Sequence, residues 1–166
     1  MNTSNQDILN TSLLNAAQAG NIDACKTAVE EGADLQTTDM WGGTVLHTST
    51  SKGFLELTRW LLEQGLNPNQ QNAKGRTPLH LAAGKNYNQI TYILLKAGAN
   101  PNIRNMWGLT CLHWAVISNA IRSVTTLKDF KYPENQAKLD MSLFTPEGKL
   151  AIDLTNNQKM LKVLLE

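Results

Sequence analysis

Three histidines, His47, His80 and His113, recur at intervals of 33 residues, and evenly spaced imidazoles raise the question of a metal site. Zinc needs its histidine nitrogens about 2.0–2.1 Å from one ion. Residues repeated at this interval fall in successive layers, and packed helices lie roughly 8–10 Å apart. The three imidazoles cannot readily converge, so no metal is expected. Cys25 and Cys111 lie three layers apart, whereas a disulfide needs Cα atoms within about 7 Å. Each is expected to be a small buried side chain. A nucleophilic cysteine needs a positioned base. His113 follows Cys111 by two residues on one helix, so the two side chains point apart. The neighbouring carboxylates Glu30 and Glu31 fall at a helix end, where solvent exposure is the default. No glycine-rich phosphate loop, H-E-x-x-H or C-x-x-C is present. The residues capable of chemistry thus support no enzyme and no cofactor.

Composition narrows the classes further. The chain has 166 residues, 42% of them hydrophobic and 17% charged. That length supports one domain with a sizeable core. A formal charge of +1 argues against a dedicated nucleic-acid binder. No apolar run approaches a membrane span. Residues 1–14 carry no Lys or Arg and no apolar core, so they do not read as a secretory signal. The charge is unevenly placed: net −5 over residues 1–51, +5 over 52–104 and +1 over 105–166. A linear fold would therefore be electrically polarised along its length.

The histidines belong to a longer repeat. Thr44-Val45-Leu46-His47, Thr77-Pro78-Leu79-His80 and Thr110-Cys111-Leu112-His113 share one phase, and Thr11-Ser12-Leu13-Leu14 is a degenerate earlier copy. Leu150-Ala151-Ile152-Asp153 comes after 40 residues rather than 33. Within a unit, Thr suits the N-cap of a short helix, and Pro78 suits the first helical position. A left-handed turn position follows, filled by Gly20, Gly53, Asn86 and Asn119. A second helix carries Leu57, Leu61 and Leu62, or Ile90, Ile93 and Leu94, spaced to bury one stripe. Gly65 and Gly98 then end it.

The 33-residue period, the T-P-L-H tetrapeptide and the G-A-N-P-N ending resemble the ankyrin repeat. The resemblance implies an all-α repeat solenoid: helix-turn-helix units joined by β-hairpin-like loops. It suggests a single domain over 1–166, with units at 6–38, 39–71, 72–104, 105–144 and 145–166. The first is a cap and the last is truncated. The fourth holds an insertion at about 129–144. That stretch reads either as a tolerated surface insertion or as an extra contact loop. The repeated histidine is then a local brace of its hairpin. Asn69 and Asn102 occupy loop positions that, in ankyrin proteins of animal cells, resemble hydroxylation targets.

Proteins of this kind bind partners through a concave groove built from hairpin tips and first helices. Carried onto this sequence, the tips contribute Met40, Trp41 and Gly43, then Ala73, Lys74 and Arg76, then Met106, Trp107 and Leu109. The helices contribute Ser51 and Lys52, Gly84 and Lys85, and Ile117 and Ser118. The groove reads apolar, basic, apolar along the stack. Trp, Met and Arg are enriched at interface hot spots, and Lys52, Lys74, Arg76 and Lys85 would attract an acidic segment. Two roles fit Trp41 and Trp107: anchors for a partner, or packing between neighbouring tips. Trp60 is expected in the core. Trp114, on the first helix next to His113, is a further candidate to face the groove and contact the partner.

The expected function is a non-catalytic protein-binding module, monomeric when free, contacting neither nucleic acid nor membrane. Its partner would present an acidic stretch beside apolar anchors. Alternatives are a secreted bacterial effector engaging host proteins and a regulatory subunit or inhibitor of an enzyme in an obligate complex. Reduced cysteines and the lack of a signal suggest a cytoplasmic location, with signal-independent secretion into a host cell left open.

Overall fold

The computed structural model describes residues 4–166. Among them are nine α-helices: α1 Asn5–Ala19, α2 Ile22–Glu30, α3 Val45–Lys52, α4 Leu55–Glu63, α5 Pro78–Gly84, α6 Asn88–Lys96, α7 Cys111–Ile117, α8 Ile121–Asp129 and α9 Gln158–Leu165. A 3-10 turn at Ala151–Leu154 precedes α9. The helices pair in sequence order, and each pair stacks on the next. The expected all-α repeat solenoid is the observed architecture. No described helix is long and apolar enough to cross a membrane.

Helices of seven to nine residues are marginal alone, so caps and packing must hold them. Thr44, Thr77 and Thr110 sit at N-caps with extended backbone, as the repeat predicts. The Thr77 and Thr110 hydroxyls accept from the backbone N–H of His80 and His113, which satisfies one of the orphan donors of the first turn. Asn86 and Asn119 take positive φ at the turn between paired helices, as Gly20 and Gly53 do. The apolar stripes then close over two buried clusters. One centres on Leu13, Leu46, Leu57 and Leu61, the other on Leu79, Leu94, Leu112, Leu127 and Met160. Leu62 packs against both, so the core runs along the stack.

The loops before the first helices share one hairpin geometry. The N–H groups of Asp39, Asn72, Asn105 and Thr145 donate to the carbonyls of Gly43, Arg76, Leu109 and Lys149, at 2.8–3.0 Å. In the first three, the side-chain Oδ1 of Asp39, Asn72 or Asn105 also accepts from the N–H groups two and four residues on. Successive tips are tied together: Ala73 N–H donates to Trp41 O at 2.9 Å and Met106 N–H to Lys74 O at 3.1 Å. The hairpins are turns with a single isolated bridge, Thr38 to Thr44, and the described residues form no strand.

The C-terminal end departs from the pattern. Where the repeat predicts a first helix after Leu150, only the four-residue 3-10 turn forms. The chain leaves α8 extended at Phe130 and turns at 134–136, packing back on the helices it has just left. Tyr132 donates to Leu127 O at 3.0 Å, Phe130 packs edge-on to Tyr132 and Tyr92, and Leu139 joins the core margin. Gln136 Nε2 donates to both Leu95 O and Ala99 O, at 2.8 and 3.2 Å. The insertion therefore straps the end of α6 through Gln136 and is clipped at Lys138 O by Asn102 of the preceding loop. Replacing Gln136 with Ala strands the partly buried carbonyl of Ala99, because Leu95 O keeps the Gly98 N–H, at a cost of about 1–3 kcal/mol. The expected result is a lower denaturation midpoint with faster amide exchange around the strap. An unchanged midpoint would show that the strap does not support α6.

Candidate functional site

The repeated histidines are fully engaged in structure. In each, Nδ1 accepts from the backbone N–H of the N-cap threonine: Thr44 to His47 at 3.1 Å, Thr77 to His80 at 3.3 Å and Thr110 to His113 at 3.2 Å. An acceptor Nδ1 places the proton on Nε2. The Nε2–H donates to the next layer: His47 to Arg76 O, His80 to Leu109 O and His113 to Leu143 O, at 3.0–3.1 Å. Each imidazole thus braces its own helix start; His47 and His80 also pin the following hairpin, whereas His113 holds the end of the insertion at Leu143. The inter-layer bond goes beyond the local bracing expected from sequence. Burial lowers the pKa of all three, that of His80 to about 4, so they stand neutral at pH 7. Among the described residues no cluster of three metal-ligating side chains occurs.

The thiols are equally committed. Cys25 and Cys111 are buried and unpaired, and burial pushes them up to about 11 and about 12. Cys111 Sγ points to Pro101 O at 3.2 Å rather than to His113. Such shifts suppress the thiolate, the opposite of what a nucleophile requires.

The groove residues divide into exposed tips and a packed cluster. Met40, Trp41 and Met106 are open to solvent, Trp41 at 60%. Trp41, Ala73, Lys74, Arg76 and Met106 line one hollow of about 530 Å³, floored by His47, Thr48, Ser51 and Leu81. The single carboxylate of its lining, Asp39, is occupied in its own turn, with Oδ1 accepting from Trp41 N and Gly43 N at 2.8 Å each.

At the edge of this hollow three groups from three elements meet. The indoles of Trp107 and Trp114 lie nearly parallel, 14° apart, with centroids at 6.1 Å. The Arg76 guanidinium carbon lies 4.9 Å from the Trp107 centroid and 4.3 Å from that of Trp114. Trp114 reaches this place because Gly84 of α5 lacks a side chain: a Cβ there would overlap the indole. Arg76 Nε is buried without a hydrogen-bond partner. The only ion pairs among the described residues are the exposed Glu56–Arg59 and Lys162–Glu166. Burial lowers the Arg76 pKa from its ordinary value, and no carboxylate offsets it. Gly84→Ala is expected to evict Trp114, changing near-ultraviolet dichroism and costing about 1–3 kcal/mol by overpacking. A variant with wild-type dichroism and stability would show the indole to be loosely placed.

The sequence expectations are thus brought together unequally. Trp107 packs on Trp114 and Arg76 and is still 43% exposed, whereas Trp41 has no aromatic neighbour. Trp114 joins the groove. Trp60 is half-buried against the N-terminal cluster rather than enclosed. Lys52 and Lys74 are exposed, but Lys85 Nζ is tied to Ser51 O at 2.7 Å. Leu109 is half-buried, and its carbonyl and N–H serve His80 and Asn105. Asn69 and Asn102 clip successive loops: Asn69 to Gly98 O and Asn100 N, Asn102 to Lys138 O and Asp140 N.

A second concavity escapes sequence reading. On the face formed by α6, α8 and the strap, a hollow of about 580 Å³ is lined by Tyr92, Lys96, Thr125, Phe130 and Pro133. Its walls are 41 residues apart in sequence at Tyr92 and Pro133, and only the folding back of the insertion joins them. Tyr92 at an exposed position of an otherwise amphipathic helix was its one available signal.

A family model described as ankyrin repeats, in three copies, matches residues 13–105. No curated protein matches the chain.

Proposed function

Because the chain belongs to the ankyrin-repeat family, whose members are generally protein-interaction modules, we propose that it is a non-catalytic module that binds a partner protein through the hairpin-tip groove. One observation carries this reading: Trp41 and Met106 are exposed around a hollow that also presents Lys74 and Arg76, neither of them in an ion pair. Solvent-facing indole and thioether groups are costly to leave wet and are rewarding to cover. The surrounding cations favour encounter with an acidic segment. The partner contributes carboxylates flanked by apolar or aromatic side chains. The histidines and cysteines serve the fold.

The test is affinity capture with a folded variant as control. The variant carries Trp41→Ala, Lys74→Glu, Arg76→Glu and Trp107→Ala. A protein captured by the native chain and lost with the variant, at matched thermal stability, supports the groove. A protein held equally by both would move binding to the Tyr92–Phe130 face.

A further inference from the structure

We propose that Arg76, held over Trp107 and Trp114, is the seat of a side-chain carboxylate, an aspartate or glutamate of the bound partner segment. The inference rests on the groove reading and names the chemistry at its centre. A cation lying over ring faces is attracted by their quadrupoles, but that contact uses none of its five N–H donors. In Arg76 the Nε donor is buried and unpartnered. Nε itself is closed off, but the terminal nitrogens make no hydrogen bond among the described residues and remain open to an acceptor in the hollow. No side chain among the described residues supplies one, since the hollow's only carboxylate is held in the Asp39 turn.

The surroundings select the class of acceptor. The +5 charge of residues 52–104 favours an anion. The hollow beside Arg76 is walled by Trp41, Ala73, Leu81 and Met106, which suit apolar side chains next to the acid. Its volume of about 530 Å³ accommodates a few side chains of an extended segment. The guanidinium is also pre-positioned. Trp114 is seated over Gly84, and Trp107 rises from the next hairpin, so little rotamer freedom remains to be lost on binding. Arginine suits the role better than lysine, because a planar fork matches a carboxylate bidentately and stacks on indoles.

The experiment selects peptides from a random twelve-residue phage library on the native chain. The strongest binder is synthesised and measured by calorimetry against native, Arg76→Gln, Arg76→Lys and Trp41→Ala chains, each checked by denaturation. The peptide is also made with its acid replaced by the amide. The expected binder carries an Asp or Glu beside an aromatic or aliphatic residue. Arg76→Gln and the peptide amide each weaken it at least tenfold, and together they weaken it no more than either alone. Arg76→Lys restores only part of the loss. The amide peptide leaves the protein untouched, so a folding defect cannot imitate its effect. A binder weakened by Trp41→Ala but indifferent to Arg76→Gln and to its own amide form would overturn the carboxylate seat and leave the groove standing. An acid-free binder weakened by Trp41→Ala would likewise overturn the seat alone, whereas binders indifferent to every groove substitution would overturn both.

Discussion

Lowering the pH from 7 to about 4 is expected to remove several kcal/mol of stability, a loss that the histidines begin well above the carboxylate range. In the unfolded chain each imidazole takes up a proton near 6.5. In the fold His80 does so only near about 4, and burial lowers His47 and His113 as well. Between those values the unfolded state binds more protons, so stability falls as pH falls. Below the folded value the loss levels off. For His80 alone the interval corresponds to about 3 kcal/mol, and the other two add in the same direction. Protonating Nδ1 would also set two donors against each other, because the threonine N–H already points there. The lowered carboxyls of Asp140 and Glu147 lie in exposed turns and act at still lower pH. Urea midpoints measured between pH 7 and pH 4 should decline most steeply below 6.5. His80→Gln, although less stable at pH 7, should show a shallower decline. A midpoint that stays flat from pH 7 to pH 5 would contradict the assigned neutral histidines.

Gly75→Ala is expected to be the most damaging single methyl added to the molecule, at about 2–4 kcal/mol. Gly75 sits at φ +65°, where a side chain is already strained. A Cβ there would stand 2.8 Å from Met106 N and 3.1 Å from the Asn105 backbone. Neither can swing aside as a flexible side chain would, and the Met106 N–H bond to Lys74 O would part. Gly65→Ala is the matched control. It shares positive φ, at +82°, but nothing lies within 4 Å of its Cβ. It should cost about 1 kcal/mol, the conformational part alone. Equal midpoints for the two variants would show that the hairpin tips separate freely.

The repeated geometry was legible because each unit announces itself locally. Thr77, Pro78, His80 and Asn86 each satisfy one backbone requirement at one position, and such requirements are written into short spacings. The solenoid, the caps and the buried stripes follow from them. The insertion was not legible in this way. Gln136, Tyr132 and Phe130 find their partners on α6 and α8, with Leu95 O 41 residues away, and nothing in the local sequence specifies that return. The last first-helix failed to form beyond a 3-10 turn, although Leu150 and Ala151 kept the pattern. The groove was legible as a set of positions but not as interactions. Phase placed Trp107, Trp114 and Arg76 near one another. It did not show that the two indoles would lie parallel beneath the guanidinium, or that Lys85 would be drawn to Ser51. Those outcomes depend on which side chains lack a volume, such as Gly84, as much as on which are present.

The four tryptophans offer the most direct measurement of where the protein binds. Trp41, Trp107 and Trp114 line or border the groove, whereas Trp60 of α4 packs against the N-terminal cluster. Indole N–H resonances of the isotopically labelled chain, assigned by single Trp→Phe substitutions, would be followed during titration with a library-selected peptide. The groove account predicts that the Trp41, Trp107 and Trp114 signals shift together along one binding curve while Trp60 stays in place. A shift confined to Trp60, or none in any indole on saturation, would contradict it and place binding outside the groove.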